Sequence, residues 1–152
     1  FKGYPIKLLT IHLSGGSSMI KSALASCKSI NAKCIGVSIL TSINEEESKE
    51  VYNQEIPKTV SSMFNLANET DIDGVVCSSH ELKLARDLLQ DKIKITPGIR
   101  LSDSNSDDQS RVMNPKEAID LGATYLVIGR PITSHKDKAS AFEKIYQSIY
   151  EE

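Results

Sequence analysis

The chain has 152 residues, 39% of them hydrophobic and 25% charged, which is enough apolar material for one packed domain and close to the average of soluble proteins. Disorder and collagen-like repeats are excluded by that composition. Lys+Arg 18 against Asp+Glu 20 leaves a formal net charge of -2, so the charge balance argues for a small-molecule ligand rather than a nucleic acid or an anionic membrane.

No apolar run approaches the roughly 18 residues of a membrane span, and the chain does not open on a signal-peptide pattern. A cytoplasmic protein with neither membrane nor nucleic-acid partner is therefore expected. The 3 cysteines, Cys27, Cys34 and Cys77, are odd in number and lack Cys-x-x-Cys spacing, so buried free thiols are expected instead of disulfides or a zinc site. Residue 1 is Phe and the first methionine is Met19, inside a helical pattern. A trimmed piece of a longer sequence is the expectation.

Short apolar runs alternate with longer amphipathic segments. The first run, Lys7 to Leu13, is followed by Ser14-Gly15-Gly16-Ser17-Ser18, a turn whose serines are expected to cap a helix carrying Ile20, Leu24 and Cys27. A second run, Cys34 to Leu40, is apolar on both parities except for Ser38, as in a strand covered on both faces. The stretch Asn44 to Gln54 reads as acidic and polar, and a helix is predicted from about Pro57 to Glu69. Gly74 to Ser78 forms a third strand, Glu81 to Gln90 its helix, and Lys92 to Thr96 a fourth strand running into Pro97-Gly98-Ile99-Arg100.

Leu101 to Ser110 is almost entirely polar and is expected to form an exposed loop. Asn114-Pro115-Lys116-Glu117 opens a short helix that Gly122 ends, Tyr125 to Gly129 is a fifth strand, and Ala139 to Tyr150 a final helix. These make five strand-helix units of about 30 residues each, and such an order implies parallel strands with right-handed crossovers. An open doubly wound sheet and part of an eight-stranded barrel both fit.

In either architecture ligands gather beyond the carboxyl ends of the strands. Arg100 and Arg130 follow the last two strands, which are neighbours if the order is sequential, and two guanidinium forks could converge on one anion. Gly129 would let the backbone approach a phosphate oxygen. Ser14 to Ser17 lacks the Lys-Ser/Thr of a P-loop and reads as a turn. His12, without a second ligand at metal spacing, reads as a hydrogen-bonded core histidine. The carboxylates Glu45-Glu46-Glu47 and Asp107-Asp108 read as solvated faces.

Six strings carry a resemblance: Ile11-His12-Leu13-Ser14-Gly15-Gly16, Val37-Ser38-Ile39-Leu40-Thr41-Ser42, Asp73-Gly74-Val75-Val76-Cys77-Ser78, Thr96-Pro97-Gly98-Ile99-Arg100, Asp108-Gln109-Ser110-Arg111-Val112 and Val127-Ile128-Gly129-Arg130-Pro131-Ile132. In this order the chain resembles the bacterial type of the orotidine 5'-phosphate decarboxylase family. The resemblance implies an α/β fold, a partial TIM (β/α)8 barrel of about strands 4 to 8, with residues 1–152 as a single domain lacking the first three units. It implies conversion of orotidine 5'-phosphate to UMP and CO2 in pyrimidine biosynthesis, with no cofactor and no metal, by a protein that is a homodimer when intact.

By position, Thr41 would lie near the pyrimidine, Gln109 in a closing loop, and Arg100, Gly129 and Arg130 at the phosphate. The family's catalytic lysine lies in an Asp-x-Lys-x-x-Asp string that this sequence lacks; it is expected upstream of Phe1, and the 152-residue chain is expected to be inactive. A non-catalytic phosphate-binding half-barrel and another sugar-phosphate barrel lyase or isomerase are the alternatives.

Overall fold

The computed structural model describes residues 3–100 and 113–150. Five strands, β1 (Leu8–His12), β2 (Lys33–Val37), β3 (Gly74–Val76), β4 (Ile93–Pro97) and β5 (Tyr125–Val127), form one sheet in the order β1-β2-β3-β4-β5. Each neighbouring pair is parallel. A doubly wound sheet reverses its strand order part-way and carries helices on both faces. Here the order never reverses, so successive right-handed crossovers put every helix on the same side. The sheet is of the barrel type.

The crossovers are α1 (Gly16–Ser29), then α2 (Glu45–Tyr52) and α3 (Ile56–Glu69), then α4 (Leu82–Leu88), then α5 (Pro115–Asp120); β5 is followed by α6 (Arg130–Thr133) and α7 (Lys138–Tyr150). Side-chain parity separates the two faces of the sheet. Leu9, Ile11, Cys34, Val75, Leu126 and Ile128 join the hydrophobic core under the helices with Phe64, Leu82 and Ile72. The opposite parity forms an inner face, on which His12, Val37, Val76, Ile95 and Tyr125 share one lateral row. At the sheet's two sides this face is bare: Leu8, Thr10 and His12 of β1 and Tyr125 and Val127 of β5 are exposed.

Local chemistry explains most boundaries. Asn44 and Asn114 each accept the N–H of the residue three on, Glu47 and Glu117, whose carboxylates reach back to the asparagine N–H. These capping boxes start α2 and α5. Pro57 lies in the first turn of α3 and Pro115 in that of α5, where a missing N–H costs nothing.

Three expectations are corrected. Glu45-Glu46-Glu47, expected in polar loop sequence, stand instead in the first turn of α2, where their charges favour the helix dipole. The serines after Gly16 do not cap α1; Gly15 is its N-cap, and a 3-10 turn, Leu13–Gly15, precedes it. His12 is not in the core, since it belongs to the bare inner face of an edge strand. The expected loop at 101–110 lies outside the described residues.

Candidate functional site

Parallel strands bring all their carboxyl ends to one rim. β4 and β5 end side by side, with Pro97 paired to Val127. The segments that follow therefore emerge next to each other. One carries Gly98 and Arg100, the other Gly129 and Arg130.

Gly98 has a φ of 79°, in the left-handed region that favours glycine, and it turns the chain out of β4. Arg100 is half-buried, and its backbone N–H donates to the Met113 carbonyl at 3.2 Å. Ile99 also bridges to Met113. The two flanks of the 101–112 segment are thus pinned together at the rim. Arg130 is exposed at the start of α6. Among the described residues, a methyl group at Gly129 would meet no atom within 4 Å, which leaves the backbone here open to an approaching group on their side. Gln109 lies outside the described residues.

Thr41 is exposed in the turn between β2 and α2, which the Ile43 N–H closes on the Leu40 carbonyl at 3.0 Å. The base of this turn is braced. Buried Ser38 donates both its N–H (3.1 Å) and its hydroxyl (3.0 Å) to the Val76 carbonyl, and the hydroxyl lies 3.4 Å from Glu81 Oε2. That oxygen also accepts the Ser78 N–H at 3.0 Å. Glu81, only 8% exposed, therefore holds the backbone after β3 through the Ser78 N–H and meets the end of β2 at the Ser38 hydroxyl. The sequence analysis missed it. Its signal was the Ser78-Ser79-His80-Glu81 spacing of a capping box, of which the structure forms the arm from the Ser78 N–H to the Glu81 carboxylate.

Cysteine chemistry at the rim is disfavoured. Burial pushes the Cys77 thiol up to about 12, with the Glu81 charge adding to the effect. Cys34 is likewise pushed up to about 12, first by burial and then by neighbouring Cys27. Neither can supply a thiolate near neutrality. All three cysteines are free and buried, as the sequence predicts.

A cavity of about 470 Å³ opens elsewhere, between the start of α3 and the loop after β3, and Glu45, His80 and Glu81 line it beside apolar Ile56, Val60 and Leu84. None of Thr41, Arg100, Gly129 and Arg130 lines it. With two carboxylates in its wall it repels an anion, whereas the arginines of the β4–β5 rim attract one. The rim is the candidate site for a phosphorylated ligand.

A model of the orotidine 5'-phosphate decarboxylase / HUMPS family matches residues 3–145. The chain belongs to this family. The orotidine 5'-phosphate decarboxylase of Wolbachia pipientis is 41% identical over 150 residues, covering 97% of this chain and 66% of that protein. The crystal structure of the Lactobacillus acidophilus decarboxylase superposes with a TM-score of 0.80 at 31% identity, covering 96% of this chain and 64% of that one.

That of Sulfolobus solfataricus orotidine 5'-monophosphate decarboxylase, at 17% identity and a TM-score of 0.66, shows the shared fold alone. The chain therefore spans a little under two thirds of the length of these family members. Its sheet and helices are part of their barrel. Among the described residues, no group of three or more His, Cys, Asp or Glu could hold a metal ion, and no helix is long and apolar enough to cross a membrane.

Proposed function

We propose that residues 1–152 form one domain equivalent to the last five of eight strand-helix units of an orotidine 5'-phosphate decarboxylase, the enzyme that releases CO2 from orotidine 5'-phosphate to give UMP in pyrimidine biosynthesis. The observation that carries this reading is the pairing of β4 with β5 at Pro97 and Val127, which sets Arg100 and Gly129-Arg130 on neighbouring loops in a chain of this family. Breaking the bond to the carboxylate leaves an electron pair on the ring carbon, and a proton must replace the CO2.

In this reading the chain's own residues bind and orient rather than react. Arg100 and Arg130 hold the phosphate through charge-assisted hydrogen bonds, and Gly129 admits a phosphate oxygen to the backbone. Thr41, on the turn braced by Ser38 and Glu81, contacts the pyrimidine, and Gln109 belongs to a segment that closes over the ligand. Anchoring the remote phosphate lets binding energy favour the transition state. The proton donor is the lysine of the Asp-x-Lys-x-x-Asp string, absent from these 152 residues, so the chain alone is inactive. The intact protein is a cytoplasmic homodimer that needs neither metal nor organic cofactor.

Calorimetric titration of the purified chain with UMP and with uridine tests the phosphate site. UMP is expected to bind at least about tenfold more tightly, the scale of one charge-assisted hydrogen bond. Equal affinities would remove the arginines from that role, and UMP production from orotidine 5'-phosphate by the chain alone would overturn the assignment of the proton donor.

A further inference from the structure

One buried polar group at the rim is left without a partner. Ser78 is 4% exposed, and among the described residues its hydroxyl makes no hydrogen bond. In a full capping box that hydroxyl would accept the Glu81 N–H; here the Glu81 N–H donates to the Ser78 carbonyl at 3.1 Å instead. A buried hydroxyl with no partner is destabilising, and native structures keep few of them. Thr96 carries another such hydroxyl, but it is paired with Leu126, whose side chain joins the core under the helices.

Ser78 stands on the other face of the sheet. The β3 ladder continues past Val76, where the Cys77 N–H donates to the Ile95 carbonyl at 3.1 Å, and Ser78 itself is extended, with φ -65° and ψ 161°. Cys77 belongs to the core under the helices, so alternation returns Ser78 to the inner face of Val76. Carrying the β3–β4 register onward sets Ser78 level with Pro97, and thereby with Val127. The strand order then places it between the segment carrying Thr41, after β2, and the segment carrying Arg100, after β4. It is tied to the Thr41 side: Glu81 Oε2 accepts the Ser78 N–H at 3.0 Å and lies 3.4 Å from the hydroxyl of Ser38, which leads into the Thr41 turn.

We propose that the Ser78 hydroxyl is a further ligand-binding group of the rim, donating a hydrogen bond to a carbonyl oxygen of the pyrimidine that Thr41 contacts. The assignment rests on the proposed function and deepens it by giving the base a second anchor. A neutral hydroxyl on the Thr41 side suits an uncharged ring carbonyl, while the phosphate charge is met by Arg100 and Arg130 on the β4–β5 side. The Glu81 carboxylate holds the Ser78 backbone in place before the ligand arrives, so little ordering is required on binding. The hydroxyl that is unfavourable in the free chain is satisfied in the complex.

The test compares Ser78→Ala with the parent chain by calorimetric titration of UMP, uridine and ribose 5-phosphate, and by thermal melting without ligand. Ser78→Ala is expected to weaken UMP and uridine alike by about three- to tenfold, the scale of one neutral hydrogen bond, and to leave ribose 5-phosphate, which lacks the base, unchanged. Its melting temperature is expected to hold or rise, because alanine removes the unpaired hydroxyl. Unchanged affinity for UMP and uridine overturns the proposal. So does an equal loss for ribose 5-phosphate, or a fall of more than about 2 °C in melting temperature, either of which makes Ser78 a structural residue. The proposed function is read separately from the parent chain: UMP binding no tighter than uridine binding counts against the phosphate site, and the uridine titration of Ser78→Ala then decides the base contact by itself. A parent chain that binds neither UMP nor uridine overturns both.

Discussion

Lys33 and Asp73 clasp the starts of two neighbouring strands: Lys33 Nζ lies 2.9 Å from Asp73 Oδ1, and Asp73 Oδ2 accepts the Cys34 N–H at 2.9 Å. Burial acts to raise the Asp73 carboxyl, but the Lys33 hydrogen bond, the Cys34 N–H and the lysine charges outweigh it and hold the group below the usual carboxylate range. A carboxylate depressed on folding stabilises the native state at pH values above its unfolded value of about 4, and that contribution is lost as pH falls through the folded value. Asp73→Ala is expected to cost about 1–2 kcal/mol at pH 7, mostly through the lost acceptor for Cys34, because the exposed Lys33 bridge is screened. In urea unfolding the deficit should shrink below about pH 4; a deficit constant from pH 7 to pH 3 would count against this account.

The thiols give a second prediction. At pH 8, two or more units of pH below the values of about 12 for Cys34 and Cys77, both are protonated and inaccessible. Iodoacetamide is expected to label the native chain slowly and all 3 cysteines rapidly in denaturant, read by mass spectrometry. Rapid native labelling of Cys77 would show that the β3 rim is open.

Much of the architecture was legible because its signals are local. The β-then-α order implies parallel strands, and sequential order makes the ends of β4 and β5 neighbours, which their pairing at Pro97 and Val127 bears out. What local pattern could not supply is which face of a strand is covered. The run Lys7 to Leu13 predicts β1 correctly, yet His12 belongs to the bare inner face because its parity points away from every helix. The brace under Thr41 was equally illegible, since Ser38 and Glu81 are 43 residues apart and meet only once β2 and β3 are paired. α2 was hidden by its polarity: among its residues only Ser48 is buried, so it carries almost no hydrophobic period.

Gly74 is the position at which the sheet tolerates no side chain. A Cβ there would lie 2.4 Å from the Ile93 carbonyl oxygen and 2.6 Å from its Cβ, and these belong to the paired strand, so backbone must move. Gly74→Ala is expected to lower stability by about 2–3 kcal/mol, the upper range for overpacking, or about 5 °C or more in melting temperature for a chain of this size. At Gly36 the added methyl would meet the side chain of Leu13 at 2.4 Å, and a side chain can rotate where a carbonyl cannot. A Gly74→Ala melting point equal to that of the parent chain would refute the close approach of β3 and β4.

Gly129 and Arg130 separate stability from ligand binding. Among the described residues a methyl at Gly129 meets nothing within 4 Å, and Arg130 is exposed, so neither Gly129→Ala nor Arg130→Ala is expected to shift the melting temperature by more than about 1–2 °C. If these residues bind phosphate, Arg130→Ala removes a charge-assisted contact of about 1.5–3 kcal/mol, which is roughly a 10- to 100-fold loss of UMP affinity. The Gly129 methyl occupies the space through which an oxygen would approach the backbone and should lower UMP affinity as well. Uridine, which lacks the phosphate, should bind both variants as it binds the parent chain. Equal losses for UMP and uridine would place the two residues at the base or ribose instead, and no loss for either would remove the β5 rim from the binding site.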